Sequence, residues 1–162
     1  LDDNLDNNLD RLHDCADIAA SYDIELAIET IPCRKSDPLS NVRRAIEYDE
    51  RSRVTLDTEF LAKHEQIESV FAADWLWEQP LVRHVHIKDY DGQGFRSDGS
   101  RKYLHPDQGH IDFVRFFRGL KQHNFSGSIS LEAPAIDQQG HVDIGRLHES
   151  LDFIQKSIEV NK

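Results

Sequence analysis

Apolar residues recur at two spacings along this chain, and the spacings alternate. Leu5, Leu9, Leu12 and Ala16 fall on one helical face and predict a helix over Leu5–Ser21. After the two residues Tyr22 and Asp23, the run Ile24–Glu29 is apolar and too short for a helix, so it reads as a buried strand. Pro32 and Pro38 bracket a loop, and Ser40 with Asn41 are the expected cap of a helix over Val42, Ala45 and Ile46. The pattern then repeats. Arg53–Asp57 predicts a strand, and His64–Trp77 a helix through Ile67, Val70, Phe71 and Leu76. Val82–Ile87 predicts a strand, followed by the longest irregular stretch, from Lys88 to Gly109, with Gly92, Gly94 and Gly99 inside it. Ile111–His123 returns to helical period, Gly127–Glu132 to a strand, and Ile144–Val160 to a helix through Leu147, Leu151, Ile154 and Ile158.

Strands that alternate with helices in this way imply right-handed βαβ units around a parallel sheet. The expected fold class is therefore α/β, with four parallel strands alternating with five helices. At 162 residues the chain is long enough for one domain with a core. Its net charge of −11 disfavours an electrostatic grip on nucleic acid, because phosphate binding is driven by Lys and Arg. No apolar stretch approaches the length of a membrane span. Cys15 and Cys33 form neither a metal-type spacing nor a disulfide framework, so the compartment expected is the reducing cytoplasm.

The chemistry lies at the strand ends. Glu29, Asp57, His86 and Glu132 each fall at the carboxyl end of a predicted strand, the rim where strand-helix proteins place their ligands. Three carboxylates and one imidazole form an oxygen-rich donor set that suits Mn²⁺ first, or Mg²⁺, and tolerates Co²⁺ or Zn²⁺. Taken singly, each acidic residue could equally cap the next helix, and His86, between Val85 and Ile87, could be a core histidine. Together they point to a divalent metal acting as a Lewis acid on a carbonyl and a neighbouring hydroxyl. Glu29 and Glu132, on well-separated strands, are the expected proton carriers. His84 shares the parity of His86 and is a candidate partner behind it. Lys88 and Asp89 follow as candidates for a substrate hydroxyl or phosphate, or as a surface ion pair. Arg96, Arg101 and Lys102 read as charges of a mobile loop, with recognition of an anionic substrate as the alternative.

The segments LAIET, VTLDT, HVHIKD, LHPDQGHIDF and GSISLEAP resemble, in order and spacing, the second half of the xylose isomerase-like, sugar phosphate isomerase/epimerase superfamily of TIM barrels. The resemblance spans essentially the whole chain. It implies the C-terminal half of a (β/α)8 barrel, with residues 1–162 running from helix four to helix eight and the N-terminal half absent. By that resemblance Glu29, Asp57, His86 and Glu132 are the metal ligands after strands five to eight, and Glu29 and Glu132 are also the acid/base pair. The implied activity is isomerisation or epimerisation of a small sugar or sugar-like polyol through an enediolate.

Two departures bear on the substrate. The family's histidine three residues after the strand-six aspartate is Phe60 here, and its PGxG turn reads Pro106-Asp107-Gln108-Gly109. His64 and His105 are the histidines nearest to standing in, and His105 joins His84, Lys88 and Asp89 as an expected substrate contact. Two other activities stay open: an inosose dehydratase-like lyase acting on a keto-polyol, and a non-catalytic barrel serving as a binding module. A full barrel takes about 250 residues, so the chain reads as a fragment of a longer protein or as a half that pairs with another chain. A homo-oligomer of two halves is open too. Alone, such a half is expected to expose the inward face of its sheet and to self-associate.

Overall fold

The computed structural model describes residues 5–136 and 140–160. Its sheet has four strands, β1 (Ala27–Glu29), β2 (Arg53–Asp57), β3 (Val82–Ile87) and β4 (Ser128–Leu131). They lie side by side in chain order, and every neighbouring pair is parallel. The helices are α1 (Leu5–Ser21), α2 (Pro38–Tyr48), α3 (Thr58–Lys63), α4 (Asp74–Trp77), α5 (Phe113–Gln122) and α6 (Ile144–Glu159). The fold is α/β, half of a TIM barrel.

The core forms between the helices and one face of the sheet. Val54, Leu56, Val85 and Ile87 on the central strands pack with Leu12, Val42, Leu61, Leu76, Phe113, Phe116 and Ile154 from the helices. Side chains alternate across a strand, so the intervening residues line the opposite face. That face carries Glu29, Thr55, Asp57, His84, His86 and Ser130 in place of the bulky branched layers usual inside such barrels. The face expected to be left open is therefore polar.

Several element boundaries differ from those expected, each for a local reason. The strand expected from Ile24 begins only at Ala27, and Ile24 itself is exposed. Helix α2 is capped by Asp37, whose Oδ1 accepts the Ser40 N–H at 2.9 Å, and not by Ser40 or Asn41. Pro38 then sits in the first turn, where its missing N–H is no loss. Of the helix expected over His64–Trp77 only its end, α4, is helical, residues 64–73 form turns, and α3 precedes them unexpectedly, so the described residues hold six helices where five were expected. Asp57 caps its own strand's exit through Oδ1, 3.0 Å from the Phe60 nitrogen, so α3 starts directly at Thr58. Glu65 then takes a left-handed backbone, φ 57°, which breaks the helical run. Leu5, the first member of the predicted stripe on α1, lies outside the residues whose side chains are described. Among the described residues no helix is long and apolar enough to cross a membrane.

The irregular stretch after β3 is folded. Asp89 pairs with Leu104 and Phe95 with Arg101 as antiparallel bridges, and an ion pair joins Lys102 to Asp91.

Candidate metal centre at the strand ends

Glu29 and Asp57 are the last residues of β1 and β2, His86 is next to last in β3, and Glu132 follows β4. Each offers one donor atom, and the four atoms lie within 4.8 Å of one another. His86 Nδ1 stands at the middle of the group, 2.7 Å from Glu29 Oε1, 3.4 Å from Glu132 Oε2 and 4.0 Å from Asp57 Oδ2. Parallel pairing of Asp57 with His86 and of His86 with Ser130 brings these ends together.

Asp57 serves two purposes with its two oxygens. Oδ1 caps α3, while Oδ2 faces the group. Thr30 Oγ1 accepts the Asp57 backbone N–H at 2.9 Å and fixes the turn. The Asp57 side chain is fully buried, and that burial pushes its carboxyl up to about 6 even though Lys88 pulls the other way.

Lys88 is not a surface residue. Only 5 % of its side chain is exposed, and Nζ lies 2.7 Å from Asp57 Oδ2 and 2.6 Å from Glu132 Oε2. Its ammonium also stands 4.4 Å from the centre of the Phe60 ring, a cation–π contact. Burial lowers the Lys88 ammonium and the two carboxylates raise it, with the net shift upward. Glu132 shows the converse. Burial raises it, but Lys88 and His86 outweigh that and hold it below its ordinary value.

A fourth carboxylate, Glu59 on α3, is buried beside this pair. Its Oε1 is held by Arg101 from the loop after β3, and its Oε2 lies 3.9 Å from Lys88 Nζ. Burial pushes its carboxyl up. The cluster thus sets the carboxylates Glu29, Asp57, Glu59 and Glu132 against the cations Lys88 and Arg101, a formal excess of two negative charges before His86 is counted. One divalent cation would balance that excess, so the donor set and the charge both fit such an ion. Open to the cluster is a cleft of about 520 Å³, whose walls include Phe60, Lys88, Arg101, Tyr103 and Glu132.

His84 stands behind His86, the ring centroids 4.8 Å apart and edge to face. Its nitrogens meet Ser128 Oγ at 2.6 Å and Ser130 Oγ at 2.9 Å. It therefore packs against the neighbouring ring and ties β3 to β4 through two serine side chains. Two other expected substrate contacts are placed elsewhere. Asp89 is buried, and its oxygens accept the N–H groups of Tyr90, Gly109 and Ile111. His105 is buried between Ser150 Oγ, 2.8 Å away, and the Pro134 carbonyl. His64 does not stand in at Phe60's position; its Nε2 accepts the Cys33 N–H at 3.1 Å. In the turn before α5, Asp107 takes the left-handed backbone, φ 78°, at the position where the family's PGxG has glycine.

The sequence profile of the xylose isomerase-like TIM barrel family matches residues 1–157. The chain belongs to that family. No curated protein matches the sequence. Among solved structures, L-ribulose 3-epimerase is similar at 17 % identity and a TM-score of 0.70, covering 97 % of this chain and 55 % of its own. The 3-keto-D-glucoside 4-epimerase YcjR from E. coli is similar at 22 % identity and a TM-score of 0.64, covering 91 % of this chain and 52 % of its own. The IolI protein, solved with a bound zinc atom, is similar at 21 % identity and a TM-score of 0.62, covering 97 % of this chain and 56 % of its own. These likenesses concern the fold. The chain spans about half the length of these solved proteins.

Glu59 escaped the sequence reading, and Arg101 entered it only as a loop charge with recognition of an anionic substrate as the alternative. The signal for Glu59 was a carboxylate two residues past the strand-end Asp57. Arg101 carried no local signal, because its partner is 42 positions away.

Proposed function

We propose that the chain is the C-terminal half, helix four to helix eight, of a divalent-metal-dependent isomerase or epimerase of a small sugar or sugar-like polyol. The observation that carries this reading is the convergence of Glu29, Asp57, His86 and Glu132 from four successive strand ends to within 4.8 Å. These four residues would hold the metal, Mn²⁺ by preference among hard divalent cations. When bound, the metal supplies Lewis acidity toward a carbonyl and a vicinal hydroxyl. Family membership and the epimerase folds it resembles support the reaction class.

The protein's own residues carry the proton. Among the described residues the Glu29 carboxylate is held by His86 and points from β1, while Glu132 enters from past β4 at the other end of the sheet. Two carboxylates reaching a substrate from opposite ends can remove a proton from the carbon beside a carbonyl on one face and return one on the other. In the metal-free protein Lys88 holds Glu132 in its ionised form. Phe60 and Tyr103 give the cleft an aromatic wall.

A binding module without catalysis is the second reading. It is favoured by one observation, that Lys88 already neutralises Asp57 Oδ2 and Glu132 Oε2.

The deciding experiment is Mn²⁺ titration and solvent-deuterium exchange into ketoses by the full-length protein, wild type beside Glu29→Ala/Glu132→Ala. One tight ion per chain and exchange at the carbon next to the carbonyl, both lost in the variant, are expected. Tight metal with no exchange would favour the binding module, and no metal in either protein would overturn the metal-dependent reading.

A further inference from the structure

We propose that Lys88 and a divalent cation are alternative partners of Asp57 and Glu132, and that Glu59 is built to receive Lys88 when the cation takes their place. This rests on the metal-binding reading above and concerns how that centre accepts its ion.

The first observation is competition for the same atoms. Lys88 Nζ contacts Asp57 Oδ2 and Glu132 Oε2, the same oxygens that stand 4.0 Å and 3.4 Å from His86 Nδ1. A cation ligated by His86, Asp57 and Glu132 must use that space, and an ammonium cannot share it against like-charge repulsion at such distances.

The second observation is a partner in waiting. Glu59 Oε1 is held by Arg101, whereas Glu59 Oε2 is buried and has no hydrogen-bond partner among the described residues. It lies 3.9 Å from Lys88 Nζ. A buried carboxylate oxygen left unpaired is unfavourable, so it is a place where a nearby ammonium gains on arrival.

The third observation is that only the end of the side chain has to move. Thr58 Oγ1 accepts the Lys88 N–H at 3.0 Å and donates to the Lys88 carbonyl at 2.6 Å, which pins the backbone. The Phe60 ring lies under the ammonium and can stabilise it on the way, since cation–π attraction tolerates small lateral shifts. Arg101, held over the same ring, keeps Glu59 turned toward Lys88. Through this exchange Lys88 acts as a positioning residue. It keeps Asp57 and Glu132 apart from mutual repulsion before the ion arrives and sets how tightly the ion binds.

The test is Mn²⁺ affinity by calorimetry on EDTA-treated full-length protein: wild type, Lys88→Met, Lys88→Gln, Glu59→Gln and the Lys88→Met/Glu59→Gln double variant, each first checked for folding by circular dichroism. Removing the competitor should tighten Mn²⁺ binding at least tenfold in Lys88→Met and Lys88→Gln. Removing the landing place should weaken it at least tenfold in Glu59→Gln. The double variant should bind like Lys88→Met, because Glu59 acts through Lys88. A Glu59→Gln penalty that persists in the double variant overturns the proposal, as does equal or weaker binding by the Lys88 variants. Should the Lys88 variants fail to fold, Glu59→Gln alone decides: weakened binding supports the exchange and unchanged binding overturns it. Wild type without affinity, beside Lys88 variants that gain it, would sustain this proposal while overturning the metal-dependent function. Absence of binding in every protein would overturn both.

Discussion

Asp89 closes on Gly109 at two levels: Oδ2 accepts the Gly109 N–H at 2.8 Å, and a Cβ built at residue 109 would lie 2.4 Å from Asp89 Oδ1. The contact joins the end of β3 to the start of α5 and closes the loop that carries Arg101 and Tyr103 to the cleft. A residue expected to touch substrate instead accepts three backbone N–H groups around this loop.

Gly109→Ala should lower stability by about 1–3 kcal/mol, the usual cost of overpacking a tight contact. The Tyr90 carbonyl, 2.6 Å from the same Cβ position, leaves the side chain no route of escape. Asp89→Ala should cost at least as much, because three backbone N–H groups lose their acceptor. Urea midpoints measure both, and wild-type midpoints would show that the loop closes without this contact.

Position 107 should invert the usual order of substitution. At an ordinary site alanine is at least as well tolerated as glycine, but Asp107 holds φ 78°, where a Cβ is strained. Asp107→Gly should therefore be more stable than Asp107→Ala by roughly 1 kcal/mol. Thermal melts of the pair decide it; alanine equal to or above glycine would mean that the turn relaxes.

The acid limb of the stability curve should depend on Asp49. This carboxylate joins α2 to α1 through Arg51 and His13, with Arg51 Nη2 2.6 Å and His13 Nδ1 3.0 Å away. The hydrogen bond from Arg51 is the main cause that holds Asp49 at about 2. A folded value below the unfolded value of about 3.9 means stability that is fully present above pH 4 and lost as pH falls toward 2. Asp49→Asn should be less stable than wild type at pH 7 and should lose less on going from pH 4 to pH 2.5. Denaturant midpoints at the three pH values test the sign. Parallel losses in both proteins would remove Asp49 from the acid response.

Much of the candidate centre was legible because strand ends are legible. Val82–Ile87 has the bounds its alternating pattern predicts, so His86 could be placed on the rim before any coordinates. Glu29, Asp57 and Glu132 followed from the same rule. The choice between cap and ligand for Asp57 was open in the sequence, and the structure assigns one oxygen to capping α3 and turns the other to the cluster. Lys88 reads in sequence as either a substrate contact or a surface ion pair. Its burial is decided by Glu132, Asp57 and Phe60, which two other segments deliver.

Local pattern by itself determined the α/β class, the order of the strands and the residues at their ends, because side-chain periodicity and short connections act over a few residues. The tertiary structure alone decided which of those ends share one charge cluster. The pairings of Arg101 with Glu59 and of His86 with Glu29 link residues 42 and 57 positions apart, distances over which no sequence period extends. Electrostatic balance in a buried site is a property of the assembled rim, where four carboxylates and two cations from separate segments meet and must be compensated together.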